Sequence, residues 1–271
     1  MKRYARQILN YLEIHETLTT REAQKLLSVS EATARRIFAL LAGSGNVERV
    51  HGGVRSLPNS IGRTIPFQIR KQWQSAEKEL LARRALEFLK PDSTAFIHSG
   101  TTTLFLGKFI VSGTFITDSV TLAELLTRRF PGDAGPEVIL CGGTLDRKGG
   151  MLSGSRAEAA IGGFHADFMI TSVRGIDSTG PIETDEKAVG IQRRMMENCD
   201  TVIVIADHNK FQRNGYCYLA RWREIDVLIT ADLPENRKIC EEIRAAGTKV
   251  ITLPLPEPAA ESPDAGDYFK I

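Results

Sequence analysis

The sequence predicts an α/β chain in two parts: an N-terminal winged helix-turn-helix and a larger C-terminal α/β domain with a mostly parallel sheet. Three observations predict it. Residues 19–54 read as a helix, a tight turn, a second helix and a basic hairpin. Beyond residue 91, short β-branched runs alternate with helical stretches. Charge is also uneven in a chain whose net charge is only +2. Residues 1–55 hold nine Lys/Arg against five Asp/Glu, and the remainder holds 26 against 28, so a basic head precedes a mildly acidic body.

The boundaries follow from composition. Residues 1–56 form the DNA-binding module, 57–66 a linker marked by Pro58, Gly62 and Pro66, 67–253 the α/β domain, and 254–271 a loose tail of Pro, Glu and Asp. With 42% apolar and 25% charged residues among 271, the chain has the make-up of a soluble globular protein. No apolar run approaches the ~20 residues of a membrane helix. The N-terminus leads into an amphipathic stretch, so the expected location is the cytoplasm, with no membrane partner. Cys141, Cys199, Cys217 and Cys240 are scattered and suggest neither a zinc site nor disulfides; burial as small apolar residues is expected. His15, His165 and His208 are isolated and read as surface or linker residues, not metal ligands. No phosphate-loop signature of a nucleotide triphosphatase occurs, and no cofactor is implied.

Element by element, Tyr4, Ile8, Tyr11 and Leu12 form one apolar stripe on a first helix from about Lys2 to His15. Thr19 and Glu22 match a capping box for a second helix, with Ala23, Leu26 and Leu27 inward. Ser30 is a suitable N-cap for a third, whose Ala34, Ile37, Phe38 and Leu41 recur at i, i+3, i+4, i+7. That leaves Thr33, Arg35 and Arg36 to a DNA groove. Arg35 and Arg36 suit phosphates or guanine edges; Ser30 and Thr33 suit phosphate or a thymine methyl. Arg49, His51, Gly52, Gly53 and Arg55 form a wing that reaches backbone or minor groove.

A Lys/Arg/Glu/Ala-rich helix is expected from Gln68 to Leu89. Strands are expected at Thr94–His98, Thr114–Thr117, Val138–Cys141, Phe168–Ser172, Val202–Ala206, Val227–Thr230 and Lys249–Leu253. Helices are expected at Leu104–Phe109, Val120–Arg129, Asp185–Asn198 and Pro234–Ala246. Ligands of open parallel sheets sit at the carboxyl ends of the strands. The segment His98-Ser99-Gly100-Thr101-Thr102-Thr103 follows a strand and opens a helix, which suits an anion such as phosphate. Further strand ends offer Asp118, Ser119, Gly143, Gly154, Arg174, Gly175, Asp177 and Lys210. Several polar loops on one edge point to a small phosphorylated ligand, with Lys210 as counter-charge to a phosphate on residues 99–103.

The chain resembles the DeoR family of bacterial transcription regulators along nearly its whole length. The resemblance lies in Val29-Ser30-Glu31-Ala32-Thr33-Ala34-Arg35-Arg36, Arg49-Val50-His51-Gly52-Gly53, Ser99-Gly100-Thr101-Thr102, Gly142-Gly143-Thr144-Leu145, Gly175-Ile176-Asp177 with Gly180, Asp207 with Lys210-Phe211, and Asp226-Val227-Leu228-Ile229-Thr230. It implies a repressor of a carbohydrate-utilisation operon. Its C-terminal domain is expected to be similar to sugar-phosphate isomerase folds and to bind a phosphorylated sugar that relieves repression. A homodimer or homotetramer on paired half-sites of double-stranded operator DNA is also implied. The DNA-contacting set is then Thr20, Ser30, Thr33, Arg35, Arg36, Arg49, His51, Gly52 and Arg55. The effector set is Lys78, His98, Ser99, Gly100, Thr101, Thr102, Thr103, Asp118, Ser119, Gly143, Gly154, Gly175, Asp177, Asp185 and Lys210. Three positions depart from the family pattern. Ile37 stands where Asp is usual, and either alters the operator contacted or enlarges the core. His98 replaces an acidic residue, which bears on the identity of the sugar. Gln192 replaces Lys, which removes a charge from the pocket.

The alternative is a sugar-phosphate isomerase-like enzyme with an accessory DNA-binding module. Such an enzyme needs a positioned carboxylate base, for which Asp118, Asp177, Glu183 and Asp185 are candidates. None sits in a recognisable catalytic motif, so the expectation is a non-enzyme.

Overall fold

The computed structural model describes residues 2–14, 17–43, 47–56, 67–132, 134–147, 149–212 and 214–255. The expected linker at 57–66, most of the expected tail and His15 lie outside them. The chain divides into two units, Met1–Ile65 and Pro66–Ile271.

In the first unit, α1 (Lys2–Ile14), β1 (Thr17–Thr19), α2 (Thr20–Leu27), α3 (Glu31–Gly43), β2 (Val47–Val50) and β3 (Gly53–Ser56) follow in order. Thr19 caps α2: its hydroxyl accepts from the Glu22 amide while the Glu22 carboxylate accepts from the Thr19 amide. Ser28 ends α2 in the left-handed region, φ 52°, and makes the tight turn. Ile8, Leu12, Leu18, Ala23, Leu27, Ala34, Ile37, Phe38, Leu41, Val47 and Val54 form the core. Leu26 departs from expectation: it is 39% exposed, because α2 turns only Ala23 and Leu27 fully inward. The three residues of β1 were too few to show a period in sequence. They pair with β3, giving an antiparallel sheet of order β1-β3-β2.

The second unit continues with α4 (Phe67–Gln72), α5 (Ser75–Leu86), β4 (Thr94–Ile97), β5 (Thr114–Thr117), α6 (Val120–Arg129), β6 (Glu137–Leu140), β7 (Thr144–Asp146), β8 (Met151–Ser153), α7 (Ser155–Ile161), β9 (Ala166–Thr171), β10 (Gly175–Ile176), β11 (Pro181–Glu183), α8 (Glu186–Met196), β12 (Cys199–Ile205), β13 (Cys217–Tyr218), β14 (Val227–Ala231), α9 (Arg237–Ala245) and β15 (Lys249–Leu253). The seven expected strands form one parallel sheet of order β15-β14-β12-β9-β4-β5-β6. Its two faces bury separate cores. Phe96, Met169, Val202, Val204 and Leu228 face Ala157, Ile161, Ile191, Met195 and Ile243. Ala95, Ile97, Ile170, Ile203, Ile205 and Ile229 face Leu81, Ala85, Leu104, Leu122 and Leu126. Alternation along each strand therefore puts helices on both sides.

Two helices differ from the expected ones. The single helix over 68–89 is two, because the chain breaks at Trp73 and Gln74, the latter at φ 50°. The stretch after residue 103 is a 3₁₀ helix, Thr103–Lys108, in which Gly107 lies against Leu122 and Leu125 of α6, where a side chain would collide. Cys141 and Cys240 are buried as expected, whereas Cys199 and Cys217 are partly exposed; all four are free thiols. Among the described residues no helix is long and apolar enough to cross a membrane, and no cluster of three or more His, Cys, Asp or Glu could hold a metal ion.

Candidate functional sites

In the first unit, α3 exposes one face and buries the other. Glu31, Arg35 and Arg36 are exposed, while Ala34, Ile37, Phe38 and Leu41 are core. Ile37, 1% exposed, therefore enlarges the core; of the two roles weighed for it, a direct operator contact does not fit. Ser30 caps the helix through the Thr33 amide at 3.3 Å, and the two hydroxyls lie 3.0 Å apart. Arg35 pairs along the helix with Glu31 at 2.6 Å. Arg49 of the wing donates to the Arg35 carbonyl at 3.2 Å and lies over the Phe38 ring, so wing and helix share one surface. The Thr20 amide and hydroxyl both donate to the Gly52 carbonyl at 2.8 Å, fixing the wing turn, where Gly52 has φ 78°. Arg55 is tied to Glu48 at 2.8 Å. His51 is exposed at the wing tip. The face thus presents Arg35, Arg36, Arg49 and His51, with Thr20 and Ser30 as supports beneath it.

In the second unit, strand order reverses between β4 and β9, and the carboxyl ends at such a reversal are where ligands of open α/β sheets sit. The loop after β4 holds His98 to Thr103. His98, Thr101, Thr102 and Thr103 are buried, with Ser99 and Gly100 partly exposed. Asp118, at the end of β5, clamps this loop. Its carboxylate accepts from the Ser99 amide at 2.8 Å and lies 3.1 Å from His98 Nδ1, close enough to pair but not aligned as a hydrogen bond. Burial opposes the charged imidazole, yet Asp118 and then Glu183 outweigh it and raise the His98 pKa. The Thr103 hydroxyl donates to the His98 carbonyl at 2.7 Å. The Ser99 amide and the Thr103 hydroxyl are thus already committed within the loop. Ser119 caps α6 through Leu122.

Cations lie near the same strand ends. Lys78, 2% exposed, donates from Nζ to the Arg70 carbonyl at 2.5 Å. Burial lowers its pKa to about 7; Lys210 and Arg70 push the same way, against Asp207 and Glu77. Arg70 is lowered to about 9 by burial and by Arg174, against Glu183 and Asp207. The Glu183 carboxyl is raised by burial, opposed by Arg174, His98, Arg70 and a hydrogen bond from Gln192. Gln192 is fully buried and donates to Thr171 at 2.8 Å, with Glu183 at 3.5 Å. The absent lysine charge at that position is thus replaced by an amide spanning β9 and β11. Lys78, His98, Asp118, the 99–103 loop and Lys210 therefore belong to one region, joined by Arg70, Arg174, Glu183 and Asp207.

Other expected effector residues serve the frame. Asp177 accepts from Thr179 and Gly180 amides and from the Tyr218 hydroxyl at 2.7 Å, holding the small sheet β10-β11-β13. Asp185 caps α8. Gly175 lies where a Cβ would meet the Gln212 carbonyl at 2.6 Å, and Gly143 packs on β8 and α7. Gly154 starts α7 at φ 93°. His208 is no free surface residue: its ring and amide are both held by buried Glu77, at 2.7 and 2.8 Å. His165 is exposed beside Asp200.

Comparison with known proteins matches both units. Residues 5–59 fit the model of a DeoR-like helix-turn-helix domain, and 73–232 that of a DeoR C terminal sensor domain. The HTH-type transcriptional repressor GlcR of Bacillus subtilis is 30% identical over 246 residues, 90% of this chain and 93% of that protein. The glycerol-3-phosphate regulon repressor of Escherichia coli is 32% identical over 217 residues, 79% of this chain and 84% of that one. The repressor CsqR of Escherichia coli is 30% identical over 219 residues, covering 79% and 81%. Ribose 5-phosphate isomerase A of Neisseria gonorrhoeae overlaps 50% of this chain and 52% of its own at 19% identity, with a TM-score of 0.34, too loose to bear on function.

Proposed function

The chain belongs to the DeoR family of transcription regulators, and from that premise we propose that it represses a carbohydrate-utilisation operon in the cytoplasm and releases its operator when a phosphorylated sugar enters the crevice of the second unit. The effector half is supported by the cations near these strand ends: Arg174 follows β9 and Lys210 follows β12, Arg70 lies within electrostatic reach of Arg174, and Lys78 within reach of Arg70 and Lys210. Such a cation group suits a phosphate, with hydroxyls of the sugar left to the buried polar groups around Glu183 and Gln192.

Three of the four carboxyls considered as an isomerase base serve the frame: Asp118 clamps the loop, Asp177 holds the small sheet and Asp185 caps a helix. We therefore assign the domain to sensing rather than turnover. Gel-shift titration with operator DNA and a panel of sugar phosphates tests this. Lys210→Ala and Thr101→Val should bind operator normally but no longer release it on adding the sugar phosphate that acts on the wild type. Normal release by both variants places the pocket elsewhere. Consumption of any sugar phosphate by the purified protein would favour the enzyme instead.

A further inference from the structure

Glu77 of α5 has a buried side chain, 3% exposed, and both of its oxygens go to one residue 131 positions further along the chain. Oε1 accepts from the His208 amide at 2.8 Å, and Oε2 accepts from the ring Nδ1 at 2.7 Å. His208 opens the 3₁₀ turn His208–Lys210 that follows β12. Asp207 caps this turn through the Asn209 amide at 3.2 Å, and the Lys210 amide donates to the Asp207 carbonyl at 2.9 Å. The Asn236 side chain donates to the His208 carbonyl at 3.2 Å. The turn is therefore fastened to α5 at its first residue and ends on Lys210. A buried carboxylate is a costly fastener, and an apolar contact of the same volume often holds as well. What the carboxylate adds is direction: two bonds to two atoms of one residue fix how the turn is oriented.

We propose, resting on the effector reading above for the part of Lys210, that Glu77 is the positioning residue of the turn that carries Lys210, and that the charge on His208 sets how firmly the turn is held. The hydrogen bond to Glu77 raises the His208 pKa against burial, and the charges of Glu77, Asp207 and Glu235 add to it. Lys78, next to Glu77 on α5, and Lys210 on the turn itself are the cations of the same neighbourhood, while Arg237 beyond Asn236 is paired with Asp232. A raised value in the folded state means that the extra hold is complete below the ordinary imidazole value and is lost as pH rises through the folded one. The latch is thus tight when His208 is an imidazolium and slackens in alkaline solution.

Exchange of the amides of residues 207–212 is followed in the 271-residue protein at pH 6 and pH 9, each corrected for the intrinsic rate at that pH. The wild-type turn should be better protected at pH 6. Glu77→Gln should reverse that order. Its amide oxygen still accepts from the His208 amide, but its NH₂ can donate only to a neutral Nδ1, so the turn is held at pH 9 and released at pH 6. Affinity is read with inorganic phosphate at pH 6 and constant ionic strength, by the shift in thermal midpoint. Lys210→Ala should weaken phosphate about tenfold. Glu77→Ala should weaken it at least about threefold although a negative charge is removed, and in the double variant the two losses should not add. If Glu77→Ala binds phosphate as well as the wild type or better while Lys210→Ala binds it weakly, Glu77 is a bystander charge; the proposal falls and the effector reading stands. Losses that add in full overturn it as well. Phosphate affinity unchanged in Lys210→Ala overturns the effector reading, and this proposal with it. Should Glu77→Ala not fold, exchange decides: protection that does not differ between the two pH values in the wild type, or that keeps the wild-type order in Glu77→Gln, overturns the proposal.

Discussion

At the scale of single residues the crevice is a problem in charge. Lys78 is buried with its pKa at about 7, faced by Asp207, Lys210, Arg70 and Glu77. Its folded value lies below that of the exposed side chain, so between pH 7 and about 10 the unfolded chain binds the extra proton and the empty protein gains stability as pH rises. Binding an anion requires the charged form and so runs in the opposite sense. Phosphate affinity should fall above pH 7, by up to about tenfold per pH unit, and Lys78→Met should flatten that dependence while weakening binding throughout. Calorimetry at pH 8, 8.5 and 9, where the dianion of phosphate dominates, checks it; a wild-type affinity that does not change over this range removes Lys78 from the binding step. Gly53 is a steric counterpart in the head. It pairs with Thr19, and a Cβ there would lie 2.3 Å from the Leu18 carbonyl. Gly53→Ala should separate β1 from β3, destabilise the head by about 1–3 kcal/mol and weaken operator binding without altering a DNA-facing side chain. A thermal midpoint equal to wild type would show that the strand pair gives way freely.

At the scale of elements, α3 makes the sharpest prediction. Arg35 and Arg36 are exposed on its outer face while its other face closes the core. Replacing both with Ala should abolish operator binding at physiological salt and leave the thermal midpoint within a few degrees. A bidentate base contact is worth about 1–3 kcal/mol, and each lost phosphate contact should lower the salt dependence by about one unit. Unchanged affinity in a gel shift would take the reader role from this helix. This helix was legible in sequence because one apolar stripe and one cap specify it. The strands inside the main sheet were legible because both faces are buried, which makes short continuous apolar runs, and the edge strands β6 and β15 kept the same β-branched, apolar make-up though partly exposed. The β7-β8 hairpin and the strands β10, β11 and β13 were not, since two or three residues show no period. The break at Trp73 and Gln74 was hidden for a different reason. Neither residue is a helix breaker, and only the fold shows that Gln74 takes the left-handed conformation next to the buried Trp73. Arg70 and Glu77 went unnoticed with it: without the fold-back they read as the solvated face of one long helix. Asp177 shows the converse, a polar residue at an expected strand end that the fold spends on a small sheet.

At the scale of the whole molecule, one head presents few base contacts, and affinity at a genomic operator requires at least two heads acting together. The head uses its apolar stripes internally, apart from Leu26 and Leu40, so the larger unit is the better source of an interface. Among the described residues its edge strand β6 has a neighbour on one side only; Leu140 at the end of β6 and Leu145 of the β7–β8 hairpin are 41% and 48% exposed. An unprotected apolar edge of this kind is a place where a second copy can add. We expect a dimer in solution, and two heads on symmetric half-sites about one or more helical turns apart. Light scattering of the 271-residue protein, alone and on operator DNA, measures this directly. Leu140→Lys with Leu145→Lys should shift the mass toward the monomer and reduce operator affinity far more than affinity for a single half-site, because only the linked second contact is lost. A monomer in both conditions for the wild type removes the paired-site model. A dimer untouched by the two lysines keeps that model and moves the interface away from β6.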